Sequence, residues 1–442
     1  MAQLPQKAMH SDWPDNYDAR AAWWSVAMLS LFQIVSLIDR QVISVLIPEM
    51  RADLHLDDFQ ISLLQGLAFA LFYGVMGLAI GGLVDRYSRR KIIFAGITIW
   101  SLAASWTGLA RSYSGIFLGR ALVGAGEGAI SPAGQALLSD IFPRHRLSTP
   151  MAVFTLAGIV GISVSYALGG FLLDLFTRTT MPGPVGALAP WRQVLVATGL
   201  PGVLIAALAF TIREPRRAGA PPRSEAMASW GAFFRHIGQN RRLKIGLVLG
   251  SGLMAMTVQA AMGWTPTYAR RVLHLSATET GAIMSIAVAV GGIAGGLAQG
   301  LFVDRMFSRG VRDIALRLMA GFTLIVAPLL ALIFLLDSPT LLFFAVLGIM
   351  LTIGASFGPT MAAMQMISPR EMKGRFAALL VLSSNLMGFA FGPMVVGLLT
   401  EYVFGDPQLV GRAIAVALAT LGPLSAAVIW SARRDFLKRL DA

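Results

Sequence analysis

Four ionisable residues stand where a hydrophobic chain tolerates them least. Asp39 and Arg40 adjoin late in a first apolar run, and Arg120 and Glu127 lie seven residues apart in a fourth. A charged side chain at bilayer depth costs about 2.5 to 3.5 kcal/mol on insertion scales, so each needs a partner or a task. Two helical turns, about 10 Å, separate Arg120 from Glu127, which puts both on one face of one helix. Asp39 lies about 25 Å along the first helix, a depth between those of Arg120 and Glu127, and Arg40 points about 100° away from it. Four charges of balanced sign can therefore meet across two helices. The chemistry this allows is an anionic headgroup on Arg40 and a proton exchanged at Asp39 or Glu127, with Arg120 as counter-charge. Burial raises a carboxylate's proton affinity and a nearby guanidinium lowers it, so breaking such a pairing changes protonation. The alternative is a buried salt-bridge network that only locks two helices.

A second set of charges lies in loops. Asp85, Arg86 and Arg90 follow the second apolar run, and Asp304 and Arg305 occupy the same place in the second half of the chain. With Asp140, Arg144 and Glu214 as partners they can form an inner gate; a solvated turn is the other reading. Phe69, Tyr73, Trp264 and Met361 belong to aromatic and Met-rich faces that suit the apolar tail of an amphiphile, or plain bundle packing. Cysteine is absent, and the five histidines, His10, His55, His145, His236 and His274, are too scattered for metal-ligand spacing. No phosphate-binding Gly-x-x-x-x-Gly-Lys-[Ser/Thr] loop occurs. The expectation is no cofactor and no enzyme activity, with ion gradients, protons foremost, as the energy source.

The elements that hold these residues follow from composition. Of the 442 residues, 56% are hydrophobic and 13% charged, against the roughly 25% charged residues of soluble domains. Apolar stretches long enough to cross a hydrocarbon core of about 30 Å recur along the chain. They predict spans near 22–48, 60–84, 92–110, 115–139, 149–176 and 190–212, and then 245–269, 277–303, 314–336, 339–367, 374–402 and 409–432. The net charge of +13 sits in short loops and forms no basic stripe, which argues against nucleic acid as a partner. With both termini in the cytoplasm, 27 of 36 Lys and Arg fall inside and six outside, as the positive-inside rule requires. Arginine outnumbers lysine 31 to 5, a bias that points to a GC-rich bacterial genome and thus to a bacterial inner membrane. Membrane lipids and a small amphiphilic substrate are the expected partners, and a monomer the expected state.

The chain divides into a tail (1–21), a first bundle (22–212), a linker (213–244), a second bundle (245–432) and a second tail (433–442). In the linker, Ser229 to His236 can form a short interfacial helix with Trp230, Phe233 and Phe234 on its apolar side. The segment from Arg51 to Arg86 matches Arg270 to Arg305 at a shift of 219: Leu-His-Leu recurs at 54–56 and 273–275, and Gly-x-x-x-Asp-Arg at 81–86 and 300–305. Ser131-Pro132 recurs as Gly358-Pro359 at a shift of 227. Parallel repeats of this kind are the architecture in which substrate sits between halves that rock. The predicted fold is therefore an all-α membrane protein of twelve transmembrane helices in two pseudo-symmetric six-helix bundles. Gly124, Gly126 and Gly128 in the fourth span predict close helix approach, and Pro132 predicts a kink.

Gly81-x-Leu83-Val84-Asp85-Arg86-x-x-Arg89-Arg90 resembles the loop signature of the major facilitator superfamily, with Ser88 where that family usually carries glycine. Arg120-x-x-x-Gly124-x-Gly126 resembles its fourth-helix signature, and Glu214-Pro-Arg-Arg its motif after the sixth helix. Asp39-Arg40-Gln41-x-Ile43 and Gly119-Arg120-x-x-x-Gly-x-Gly-Glu127-Gly-x-x-x-Pro132 look like the spinster branch. That resemblance implies alternating access and a substrate of the sphingosine-1-phosphate or lysophospholipid type, with proton coupling as in some members. Ser165-Tyr166-x-x-Gly169-Gly170 replaces the Gly-Pro-x-x-Gly-Gly usual in the superfamily's antiporters. A related exporter of hydrophobic drugs or small aromatic acids is the second reading.

Overall fold

A computed structural model describes residues 18–84, 87–179, 183–214, 233, 235, 237–238, 241–368 and 372–440. Twelve helical spans run through them: α1 (Ala19–Leu54), α2 (Asp58–Val84), α3 (Arg89–Leu109), α4 in two pieces (Tyr113–Glu127 and Ile130–Ile141), α5 (Ser148–Arg178) and α6 (Pro190–Thr211). The second half holds α7 (Arg241–Arg271), α8 (Ala277–Ser308), α9 (Ile314–Ile333), α10 (Pro339–Ile367), α11 (from Lys373–Asn385 through to Phe404) and α12 (Val410–Leu440). Ten are long and apolar enough to cross a membrane; α4, in its two pieces, and the continuous 29-residue α10 complete the twelve. Their outward faces carry large exposed apolar residues, among them Leu102 and Trp106 on α3, Leu204 on α6 and Leu301 on α8. Water would make such surfaces a liability, whereas lipid tails solvate them.

The helices pack as two compact units that do not coincide with the two halves of the sequence. One comprises residues 1–43, 71–168 and 175–219; the other comprises 44–70, 169–174 and 220–442. In the first unit α3 packs on α4 and α6 around Phe32, Trp100, Tyr166 and Trp191. In the second, α7 packs on α11 and α12, α8 on α10, and α9 on α10 and α12, around Trp264, Tyr268, Phe334, Phe376 and Phe436. Phe233 is helical and buried against Phe376, at 4.9 Å between ring centroids; Trp230 and Phe234 of the expected interfacial helix lie outside the described residues. The seventh span begins at Arg241, a turn earlier than predicted.

The repeated Leu-His-Leu is a helix exit. His55 and His274 both take left-handed backbone conformations, with φ of 51° and 53°, which stops α1 and α7 and turns the chain. A capping box follows at once in each copy. Asp57 accepts from the Gln60 N–H (2.6 Å) while the Gln60 side chain accepts from the Asp57 N–H (3.1 Å). Ser276 and Glu279 repeat the arrangement at 3.1 and 2.9 Å.

The break in α4 falls at Gly128 and Ala129, four residues before Pro132. A proline has no N–H for the carbonyl four residues back and its ring crowds that carbonyl. A Cβ on Gly128 would lie 3.0 Å from the Gly77 nitrogen and 3.1 Å from the Tyr73 carbonyl of α2, and one on Gly126 would lie 2.7 Å from the Gly96 carbonyl of α3. Glycine at these positions lets α4 come close to α2 and α3. Glu127, between them, is thereby held at the end of a helix piece.

Candidate functional site

The four charges foreseen in α1 and α4 do meet inside the first unit, but not as two equivalent ion pairs. Both the Nε and one terminal nitrogen of Arg40 donate to the same oxygen of Glu127, Oε2, at 2.8 and 2.5 Å. The other oxygen, Oε1, is buried without a hydrogen bond, and Ser36 stands beside the carboxylate. The guanidinium of Arg40 also lies over the Tyr73 ring, 4.8 Å from its centroid, a cation–π contact. Arg120 donates to the carbonyls of Asp39 and Arg40, each at 3.4 Å. These contacts tie α4 to the backbone of α1.

Burial separates the roles. The Glu127 side chain is fully enclosed, whereas that of Arg40 retains 10% of its surface open. Asp39 is 1% exposed, and neither of its carboxylate oxygens has a hydrogen bond. Trp100 of α3 and Thr198 of α6 stand beside it, and the charges of Glu127 and Arg120 act on it. Successive residues on a helix point about 100° apart, so α1 offers Arg40 to α2 and α4 and Asp39 to the side where α3 and α6 lie. Ser165 of α5 adds a bond to the Ile38 carbonyl at 3.1 Å.

The remaining apolar candidates belong to the second unit. Phe69 is buried, edge-on to Phe389 of α11 with centroids 6.3 Å apart. Trp264 is buried with its indole N–H donating to the Pro393 carbonyl at 2.9 Å. Met361 is partly buried against the core around Phe376 and Met364. In this conformation Phe69 and Trp264 are packing residues, and Tyr73 is the aromatic candidate that touches the charged cluster.

Among the loop charges, Asp85 and Arg86 lie outside the described residues. Asp140 pairs with Arg89, a residue outside the expected gate set. Glu214, just past α6, clasps the start of α3: it accepts from Ser88 Oγ (2.5 Å) and the Arg89 N–H (2.7 Å) and faces Arg90 Nε at 3.4 Å. Burial pushes the Glu214 carboxyl up, but these hydrogen bonds and the Arg90 charge hold it below its ordinary value. Arg144 opens the short turn Arg144–Arg146, with its side chain outside the described set. Asp304 and Arg305 are exposed on α8. The corresponding clasp of the second half uses residues that carried no motif: Asp313, just before α9, is held by Arg433 of α12 and by Arg317. Burial pushes the Asp313 carboxyl up, and the two guanidinium groups hold it below its ordinary value. The sixth span of each half thus grips the start of the third with opposite sign, acid on base in one and base on acid in the other.

Comparison with known proteins agrees with this architecture. Residues 29–393 match the family model described as Major Facilitator Superfamily. An MFS-type efflux pump of Mycolicibacterium smegmatis is 27% identical over 98% of this chain and 99% of its own length. Protein spinster homolog 1 of Homo sapiens is 26% identical over 56% of this chain, a match that spans 45% of that protein. Among solved structures, a bacterial homologue of the human lysosomal transporter Spinster, inward-facing and unoccupied, superposes with a TM-score of 0.80 at 23% identity, covering 96% of this chain and 99% of its own. The last likeness is one of fold.

Proposed function

The chain belongs to the Major Facilitator Superfamily, and from that premise we propose that it moves an amphiphilic, anionic, lipid-like substrate by alternating access, coupled to protons. The observation that carries this reading is the Arg40–Glu127 pair. Arg40 is the less enclosed partner, it is backed by the Tyr73 ring, and a planar guanidinium suits phosphate or carboxylate oxygens. An anionic headgroup arriving at Arg40 competes with Glu127 for the same donors. A carboxylate that loses its guanidinium inside an apolar bundle gains proton affinity. Substrate and proton are linked through one side chain, with Asp39 as the second proton candidate. Sphingosine-1-phosphate or lysophospholipid is the substrate class, in keeping with the likeness to spinster proteins.

The same reading places the chain as a monomer in a bacterial inner membrane with both termini in the cytoplasm, which the bias of Lys and Arg toward the corresponding loops supports. The clasps at Glu214 and Asp313 then lie on the cytoplasmic side. The match to an efflux pump over nearly its whole length favours the second reading, export of hydrophobic drugs or small aromatic acids. A thermal-shift screen of purified protein against lysolipids, sphingoid phosphates, hydrophobic cations and aromatic acids separates the two. Protection by anionic lipids, lost in Arg40→Ala, is the expected result; protection by hydrophobic cations alone refutes the anionic-lipid reading.

A further inference from the structure

The two shifts that relate the halves of the sequence meet in one place, which includes Gly170 of the Ser165-Tyr166-x-x-Gly169-Gly170 segment. At the end of the second unit where α2 and α8 begin, Glu401 of α11 accepts the backbone N–H of Asp58 at 3.1 Å. Asp174 of α5 accepts the backbone N–H of Thr278 at 2.9 Å. Asp174 and Glu401 are related by the 227-residue shift that relates Ser131-Pro132 to Gly358-Pro359.

The glycines one turn earlier obey the same shift. A Cβ on Gly397 would lie 2.7 Å from the Asp58 carbonyl and 2.9 Å from Ser62 Cβ. One on Gly170 would lie 2.2 Å from the Ala277 carbonyl and 3.3 Å from the Gly281 Cα. Asp58 and Ala277, and likewise Ser62 and Gly281, are related by the 219-residue shift of the α2 and α8 repeat. The same pair of contacts, an acid on a first-turn N–H and a glycine against a first-turn carbonyl, has thus been built twice.

Each contact satisfies a physical need. The first N–H groups of a helix have no partner within it and carry partial positive charge, so an acid from another helix is a strong acceptor there. The glycine brings the backbones together so that the acid one turn further on can reach. In the first copy Asp58 is held additionally by a bidentate pair with Arg271 at 2.8 and 3.0 Å, with Arg51 at 3.3 Å. The second copy has Ala277 there and lacks that reinforcement.

We infer that Asp174 with Gly170 and Glu401 with Gly397 form a two-fold latch that holds α5 to α8 and α11 to α2 when the outer side of the transporter is closed. Both contacts join helices of the first half of the sequence to helices of the second, so halves that rock apart at this end must break them together. The inference rests on the alternating-access reading above and is independent of the substrate.

The test uses the naturally cysteine-free chain carrying one cysteine at Gln65, a residue of α2 whose side chain donates to the Gly263 carbonyl of α7. Labelling by an impermeant maleimide from outside is measured in the membrane, normalised to a cysteine at exposed Thr179. Loss of one helix cap is typically worth about a fivefold change in an equilibrium, so Glu401→Ala and Asp174→Ala should each raise labelling about fivefold and together about 25-fold. Glu401→Gln, which keeps an acceptor, should fall between parent and Ala. Gly170→Ala and Gly397→Ala should raise labelling without any change of charge. Labelling that stays at the parent level in the double variant, with unchanged melting temperature, overturns the latch. A lowered melting temperature with parent-level labelling does so too, since it marks a purely structural cap. Neither readout needs substrate, so failure of the substrate or proton assignment is detected separately, by flux.

Discussion

Glu127→Gln tests the core of the site, because the structure makes two roles for Glu127 differ in magnitude. Both donors of Arg40 converge on one carboxylate oxygen, the glutamate is fully enclosed and the arginine nearly so. If this pair is permanent, neutralising the acid leaves a buried guanidinium uncompensated, which costs about 3 to 5 kcal/mol. If Glu127 is protonated once in each cycle, the fold already accommodates a neutral group there. The amide oxygen can still accept from Arg40, so the loss is confined to a charged hydrogen bond, about 1.5 to 3 kcal/mol. The melting temperature in detergent reports the first quantity. Flux in proteoliposomes reports the second: exchange of substrate down its own gradient should continue in Glu127→Gln, while accumulation driven by a pH gradient should disappear. Full pH-driven accumulation in the variant would refute the assignment and leave Asp39 as the proton carrier. A large fall in melting temperature with proportionate loss of both fluxes would make the pair a structural lock.

Arg40→Ala should abolish binding of an anionic amphiphile in a calorimetric titration with the protein still monodisperse, and Arg40→Lys should restore little, since an ammonium cannot present two parallel donors while stacked on Tyr73. At the Glu214 clasp the folded carboxyl is held below its ordinary value of 4.5, so its contribution is complete above that value and is lost as pH falls through the depressed one. The difference in melting temperature between wild type and Glu214→Gln should therefore be largest near neutral pH and vanish in acid; a difference that grows with acidity would contradict the direction of the shift. Gly66→Ala should destabilise the described conformation by about 1 to 3 kcal/mol, because its Cβ would lie 2.3 Å from the Phe389 carbonyl, where π-helical turns of α2 and α11 face each other. A melting temperature equal to wild type would show that the contact gives way freely.

The sequence by itself determined the solvent, the count of spans and the convergence of four charges, for reasons that act along one helix at a time. Apolar run length sets what crosses a bilayer, and rise and turn per residue set the depth and face of Asp39, Arg40, Arg120 and Glu127. Repetition was legible too, and its physical content is a left-handed histidine followed by a capping box in each copy. Partnership was not legible. That Arg40 takes Glu127, that Arg120 goes to α1 carbonyls and that Asp39 stands beside Trp100 and Thr198 depends on how far each helix is rotated and how closely it approaches its neighbours. Those quantities are set where Gly126 and Gly128 meet α3 and α2. Likewise Arg89 rather than Arg90 reaches Asp140, a choice one residue of helical rotation decides. Asp174 and Glu401 looked like ordinary charges at helix ends, since their partners are backbone N–H groups more than 100 residues away. A backbone donor leaves no trace in residue type, and only the packing of α5 on α8 and of α11 on α2 brings it within reach.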